Sequence, residues 1–227
     1  MNPWRFSAAA VATCLVVVWS FARLRRQVPA GPITPATWLT LARGLVIAIV
    51  AGFATAPAPA GALAWAPGVL YSLAALADRL DGAIARRTKR VSQLGARLDV
   101  ATDAMGLLVA PVVGVRWGRL PPWYLALGLA YPAFRLALRL RRALGWPTSP
   151  ERLAPDPRAR FFAGVQMTVV AAALYPVLPA ALAWTAATAA MVPTLALFAG
   201  EWRLVTAPNG ARDSATDGGA CAQRLDA

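Results

Sequence analysis

The strongest constraint on this chain is a succession of apolar runs, several approaching the ~20 residues an α-helix needs to cross a bilayer. They lie at residues 7–22, 36–56, 64–87, 92–114, 122–141, 160–178 and 181–199. The sequence is 58% hydrophobic, yet its remaining charge is lopsided, with 23 Lys plus Arg against 10 Asp plus Glu. Such a balance fits a nucleic-acid binder or a membrane protein, and the position of the charges decides between them. The basic residues cluster between runs, in RRTKR at 86–90 and across 139–160, whereas the turns near 57–63 and 175–181 carry no charge. This alternation is the positive-inside pattern of a multi-pass membrane protein, and it needs no nucleic-acid partner.

The expected fold is therefore all-α: a polytopic membrane bundle with a six-helix core and a short N-terminal hydrophobic helix. Three regions follow. Residues 1–30 form an uncleaved hydrophobic anchor, closed by Arg23, Arg25 and Arg26; 31–203 form the membrane domain; and 204–227 form a disordered polar tail. A six-span core places both basic loops and the tail on the cytoplasmic side of the cell membrane. Arg116 and Arg119, in an outer turn, are exceptions to the charge rule.

Histidine is absent, which excludes His-based acid–base chemistry and His-ligated metals, so any metal must rest on oxygen ligands. Cys14 and Cys221 lack metal-ligand spacing and read as free thiols. Six of the ten acidic residues fall in loops or the tail, where solvated charge is ordinary. The other four, Asp78, Asp81, Asp99 and Asp103, sit on the two runs flanking RRTKR, where a carboxylate costs about 2.5–3.5 kcal/mol on insertion scales. Asp78 and Asp81 are three apart and Asp99 and Asp103 four apart, so each pair projects from one helical face. A tight turn is expected to make the two helices antiparallel neighbours. The four carboxylates would then converge on one polar cavity, where they repel one another unless cations neutralise them. Hard oxygen donors favour Mg²⁺, Mn²⁺ or Ca²⁺. An intramembrane ion path in a cation-dependent transporter is the alternative reading of another class.

Taken together, Asp78-x-x-Asp81-Gly82-x-x-Ala85-Arg86, then eight residues, then Gly95-x-x-x-Asp99-x-x-x-Asp103 resembles the complete signature of the CDP-alcohol phosphatidyltransferase family. Upstream, residues 37–43 (TWLTLAR) are similar to the first core helix of members that make phosphatidylglycerophosphate. The resemblance implies transfer of a phosphatidyl group from CDP-diacylglycerol to a small alcohol or phosphorylated alcohol, with release of CMP. It implies that Asp78, Asp81, Asp99 and Asp103 bind two Mg²⁺ or Mn²⁺ ions and that Asp103 is also the catalytic base. Gly82, Ala85, Arg86 and Gly95 would receive the nucleotide. Arg135, Arg158 and Arg160, on the basic side of two later helices, are the acceptor candidates. Glycerol 3-phosphate leads as acceptor, with inositol phosphate or another polyol as the alternative. Arg135 is followed by Leu136 where glycerophosphate enzymes carry an acidic residue, and Phe162 stands where that subgroup often has lysine. Dimers are common among members, so the resemblance also admits a homodimer.

Overall fold

The structure is a computed structural model describing residues 3–27, 34–88, 93–148 and 157–207, with the backbone alone described for 81–88, 131 and 157. Among these residues the regular structure is entirely helical. Seven α-helices follow in order: α1 (Pro3–Gln27), α2 (Pro35–Phe53), α3 (Ala66–Thr88), α4 (Gln93–Arg116), α5 (Leu125–Ala143), α6 (Pro157–Leu174) and α7 (Ala180–Thr206). Short 3₁₀ turns at Gly61–Trp65 and Pro122–Tyr124 lead into α3 and α5. Four helices, α1, α2, α4 and α7, are long and apolar enough to cross a membrane.

Local chemistry explains several ends that the apolar runs misplace. The N-terminal helix is not short: it has 25 residues, because Arg5, Arg25 and Arg26 interrupt an apolar run without interrupting a helix. α2 begins with Thr34 as N-cap, whose hydroxyl accepts from the Thr37 amide, and with proline in its first turn. α6 stops at Leu174 because Pro176 follows closely, and a residue preceding proline disfavours helical backbone. α4 and α5 end where Gly118 (φ 69°) and Gly145 (φ 70°) take up the left-handed conformation; their successors Arg119 and Trp146 donate back to the Gly114 and Arg141 carbonyls. α7 continues to Thr206, past the boundary expected at 203, so the start of the expected tail is helical; residues 208–227 lie outside the described residues.

α2 is the central element, packed against α1, α3 and α4, while α6 packs against α3, α4 and α7. The turn expected to pair α3 with α4 lies outside the described residues. Among the described residues α3 packs on α2 and α6, and α4 packs on α1, α2, α5 and α6. Asp78 of α3 faces Asp99 and Asp103 of α4.

The distribution of polarity is inverted relative to a water-soluble protein. Leu45, Ile49, Leu73, Leu76, Leu129 and Leu182 are exposed, whereas Thr37, Thr40, Arg43, Thr102 and Gln166 are buried. An apolar exterior around a partly polar interior suits hydrocarbon as the solvent. Tryptophans mark both ends of the bundle, as side chains with an apolar body and one polar group do at an interface. Near the ends of α2 and α4, the Trp117 Nε1–H donates to the Ala56 carbonyl at 3.0 Å and that of Trp184 to the Gly118 carbonyl at 3.0 Å. At the other end, the Arg141 guanidinium lies 5.2 Å from the Trp146 ring and 5.8 Å from that of Trp202.

Two polar groups, one buried and one half-buried, tie the later helices together. Gln166, 1% exposed, accepts from the Tyr124 hydroxyl and donates to the Ala190 carbonyl at 2.6 Å and the Thr194 hydroxyl at 2.9 Å. Arg119, an exception to the charge rule, donates to the Leu178 and Pro176 carbonyls at 2.8 and 3.3 Å, closing the α6–α7 turn onto the end of α4.

α5 approaches the α4 backbone closely at Gly128. A Cβ there would lie 2.6 Å from the Leu107 carbonyl oxygen and 3.2 Å from the Leu108 Cα, both backbone atoms. Gly128→Ala is therefore expected to destabilise the bundle by about 1–3 kcal/mol. Gly200 on α7, with open space around it, is the control: its alanine variant should be neutral or stabilised by up to about 1 kcal/mol. Thermal unfolding in detergent separates the two.

Candidate metal centre

Asp78 on α3 and Asp99 and Asp103 on α4 converge in the gap between their helices. One carboxylate oxygen from each lies within 4.8 Å of the others. The cluster is well inside the bundle: at about 1.5 Å per residue, these side chains leave their helices roughly 9–15 Å from the nearer helix end. The convergence depends on the helical periodicity of α4, on which Asp99, Asp103 and Gly106 follow one another on one face.

What holds the carboxylates together is Arg43, eight residues into the apolar helix α2. Its side chain is 2% exposed. One guanidinium nitrogen pairs with Asp78, while the other donates to Asp99 Oδ1 at 2.9 Å, Asp103 Oδ1 at 2.7 Å and, more distantly, the Asp99 carbonyl at 3.4 Å. A planar cation with several fixed donors suits this fork, where lysine would offer a single point charge. The three carboxylates are 27%, 37% and 34% exposed, so they face the cleft while Arg43 backs them from the buried side.

Charge and geometry both favour a divalent cation. Three carboxylates gather on one guanidinium, so these four side chains together carry an excess of negative charge. Like charges at this spacing in a poorly solvated interior repel strongly. Two oxygens on a shared hard cation are at most about 4–5 Å apart, twice the usual metal–oxygen distance, and these oxygens meet that limit. Arg43 offsets part of that charge, and the three carboxylates could hold a cation.

Of the other expected site residues, Asp81, Gly82, Ala85 and Arg86 lie on the backbone of α3, with side chains outside the described residues. Gly95 lies in the first turn of α4, one turn before Asp99. Arg135 on α5 and Arg158 and Arg160 in the first turn of α6 are exposed and outside the Arg43 cluster. A cleft of about 110 Å³ separates α4 from α5, α6 and α7; it runs beside Ala104, next to Asp103, and Ala159, between the two arginines of α6. Cys14 is a free thiol on α1, and Cys221 lies outside the described residues.

Sequence reasoning assigned Arg43 no role. The signal was available: an arginine inside an otherwise uncharged apolar run is as anomalous as a buried aspartate and implies a partner. Removing it should leave three carboxylates facing one another. Arg43→Gln is expected to destabilise the metal-free protein by about 3 kcal/mol, with millimolar Mg²⁺ or Mn²⁺ restoring more stability to the variant than it adds to wild type. Melting temperatures with and without the ion test this.

Comparison with known proteins gives the family. The family model for CDP-alcohol phosphatidyltransferases matches residues 33–198, from just before α2 into α7. A CMP-forming cardiolipin synthase of Streptomyces coelicolor is 39% identical over 85 residues, which cover 37% of this chain and 39% of that protein. The convergence of Asp78, Asp99 and Asp103 and a family match across most of the chain lead to one assignment: this protein belongs to the CDP-alcohol phosphatidyltransferase family.

Proposed function

We propose that the protein transfers a phosphatidyl group from CDP-diacylglycerol to an alcohol and releases CMP. The observation that carries this reading is the Asp78–Asp99–Asp103 cluster, with its excess of negative charge, inside a bundle whose exterior is apolar. A membrane-embedded acidic site suits a substrate that is part lipid and part pyrophosphate. Bound Mg²⁺ or Mn²⁺, two ions in this reading, would screen the pyrophosphate from the carboxylates and stabilise charge on the attacking and leaving oxygens. Asp78, Asp81, Asp99 and Asp103 are the proposed ligands.

The remaining work falls to the chain's own side chains. Asp103 accepts the proton of the attacking hydroxyl, and Arg43 fixes the carboxylate that does so. Gly82, Ala85 and Gly95 leave room for the flat cytidine ring, with Arg86 beside the phosphates. Arg135, Arg158 and Arg160 attract a phosphorylated acceptor. The cleft past Ala104 and Ala159 offers apolar surface to an acyl chain. In this reading α2–α7 are six spans, α1 is an added anchor, residues 31–203 are the membrane domain, and the site opens to the cytoplasmic side of the cell membrane. Second copies of the chain pair as a homodimer.

Glycerol 3-phosphate is the proposed acceptor. The similarity to a protein named as a CMP-forming cardiolipin synthase supports a glycerol hydroxyl in particular, since cardiolipin carries its phosphatidyl groups on glycerol. The acceptor glycerol then stands either on a free phosphate or on a lipid headgroup.

The test is CMP release from CDP-diacylglycerol by purified protein, with glycerol 3-phosphate, phosphatidylglycerol, inositol phosphate and other polyols offered in turn. Release is expected to require Mg²⁺ or Mn²⁺, to occur with a glycerol-bearing acceptor, and to fall at least about 100-fold in Asp103→Asn. Folded protein that releases no CMP with any acceptor would overturn the reading.

A further inference from the structure

Beside the carboxylates, a small cavity of about 10 Å³ is lined by Ile47, Tyr71, Ala74 and Gly106 together with Arg43, Asp78 and Asp103. Tyr71 lies seven residues before Asp78, on the same face of α3. The residue is 2% exposed, and its hydroxyl is buried without a hydrogen-bond partner among the described residues. Most buried hydroxyls are paired, because an unpaired one forfeits its hydration with no return. Arg43, Asp78 and Asp103 line the same cavity as Tyr71, so its surroundings are polar on one side. Gly106 keeps the space open: a Cβ there would lie 3.3 Å from Ile47 Cδ1 and 3.7 Å from the Tyr71 ring.

The cavity has the size and chemistry of a site for one water. A water needs roughly 10–15 Å³ by this measure and two to four polar partners, and Tyr71, Asp78 and Asp103 provide them. We propose that the cavity binds a single ordered water that accepts a hydrogen bond from the Tyr71 hydroxyl and donates to the Asp78 and Asp103 carboxylates, making Tyr71 a positioning residue for the catalytic base. The inference rests on the reading of Asp103 as that base. Arg43 holds Asp103 from α2, and the bridging water holds it from α3, so the carboxylate is oriented from two helices before substrate arrives.

Tyr71→Phe removes the hydroxyl and keeps the ring. In metal-free protein the variant is expected to melt about 2–4 °C lower, because the water loses its donor. A dry cavity gives the opposite sign, since phenylalanine then removes an unpaired buried hydroxyl. In the CMP assay, kcat is expected to fall about tenfold while KM for donor and acceptor stays within about twofold. A map at water-resolving resolution should show one density within hydrogen-bonding distance of Tyr71 Oη in wild type and none in the variant. An unchanged or raised melting temperature, unaltered kcat, or no such density overturns the proposal. If wild-type protein releases no CMP, the transferase reading fails by itself, and the melting and density measurements still decide whether the water site exists.

Discussion

The insertion of Arg43 among three carboxylates is the interaction on which the arrangement depends. Its guanidinium, carried by α2, meets Asp78 of α3 and Asp99 and Asp103 of α4. In a low-dielectric interior, such contacts are strong, but taking four charges out of water offsets much of that gain. The cluster is therefore best understood as a specificity device that sets the rotation and depth of three helices relative to one another. It also carries an excess of negative charge facing the cleft, which a site made for a cation requires.

The rest of the bundle supports this placement by other means. Lipid gives no hydrophobic drive for helices to associate, so close packing and interhelical hydrogen bonds take over. Gly44 of α2 lets Val17 of α1 approach, Gly128 of α5 admits the α4 backbone, and Gln166 joins α6 to α7 and the turn before α5. The Arg119 contacts show that a basic residue at an outer turn serves to fasten carbonyls, which accounts for one exception to the charge pattern. These ties lie away from the acidic cluster, so the helices that flank the cleft are held without side chains crowding it.

Much of this was legible in the sequence, for identifiable reasons. The helices show as apolar runs because hydrocarbon forces the backbone to bond within each segment. Asp78, Asp99 and Asp103 stood out because buried charge is costly, and helical spacing put Asp99 and Asp103 on one face. Helix ends were less legible: α1 and α7 run through charged residues that are good helix formers, and hydropathy does not see them. The connection between α3 and α4 lies outside the described residues, but Asp78 of α3 meets Asp99 and Asp103 of α4 around Arg43. Arg43 itself lies 35 residues before Asp78, a separation no local pattern spans. Tyr71 had no signal at all, since a tyrosine in an apolar run is ordinary until its surroundings are known.

The central claim is that this cluster is a divalent-cation site backed by an arginine. Crystals grown with Mn²⁺ and measured at the manganese absorption edge test it without any assumption about substrate. The account predicts an anomalous peak at about 2.0–2.3 Å from carboxylate oxygens of Asp78, Asp99 and Asp103, with Arg43 still on their buried side. A map with no peak there at saturating Mn²⁺, the carboxylates remaining closed on Arg43 alone, would contradict it.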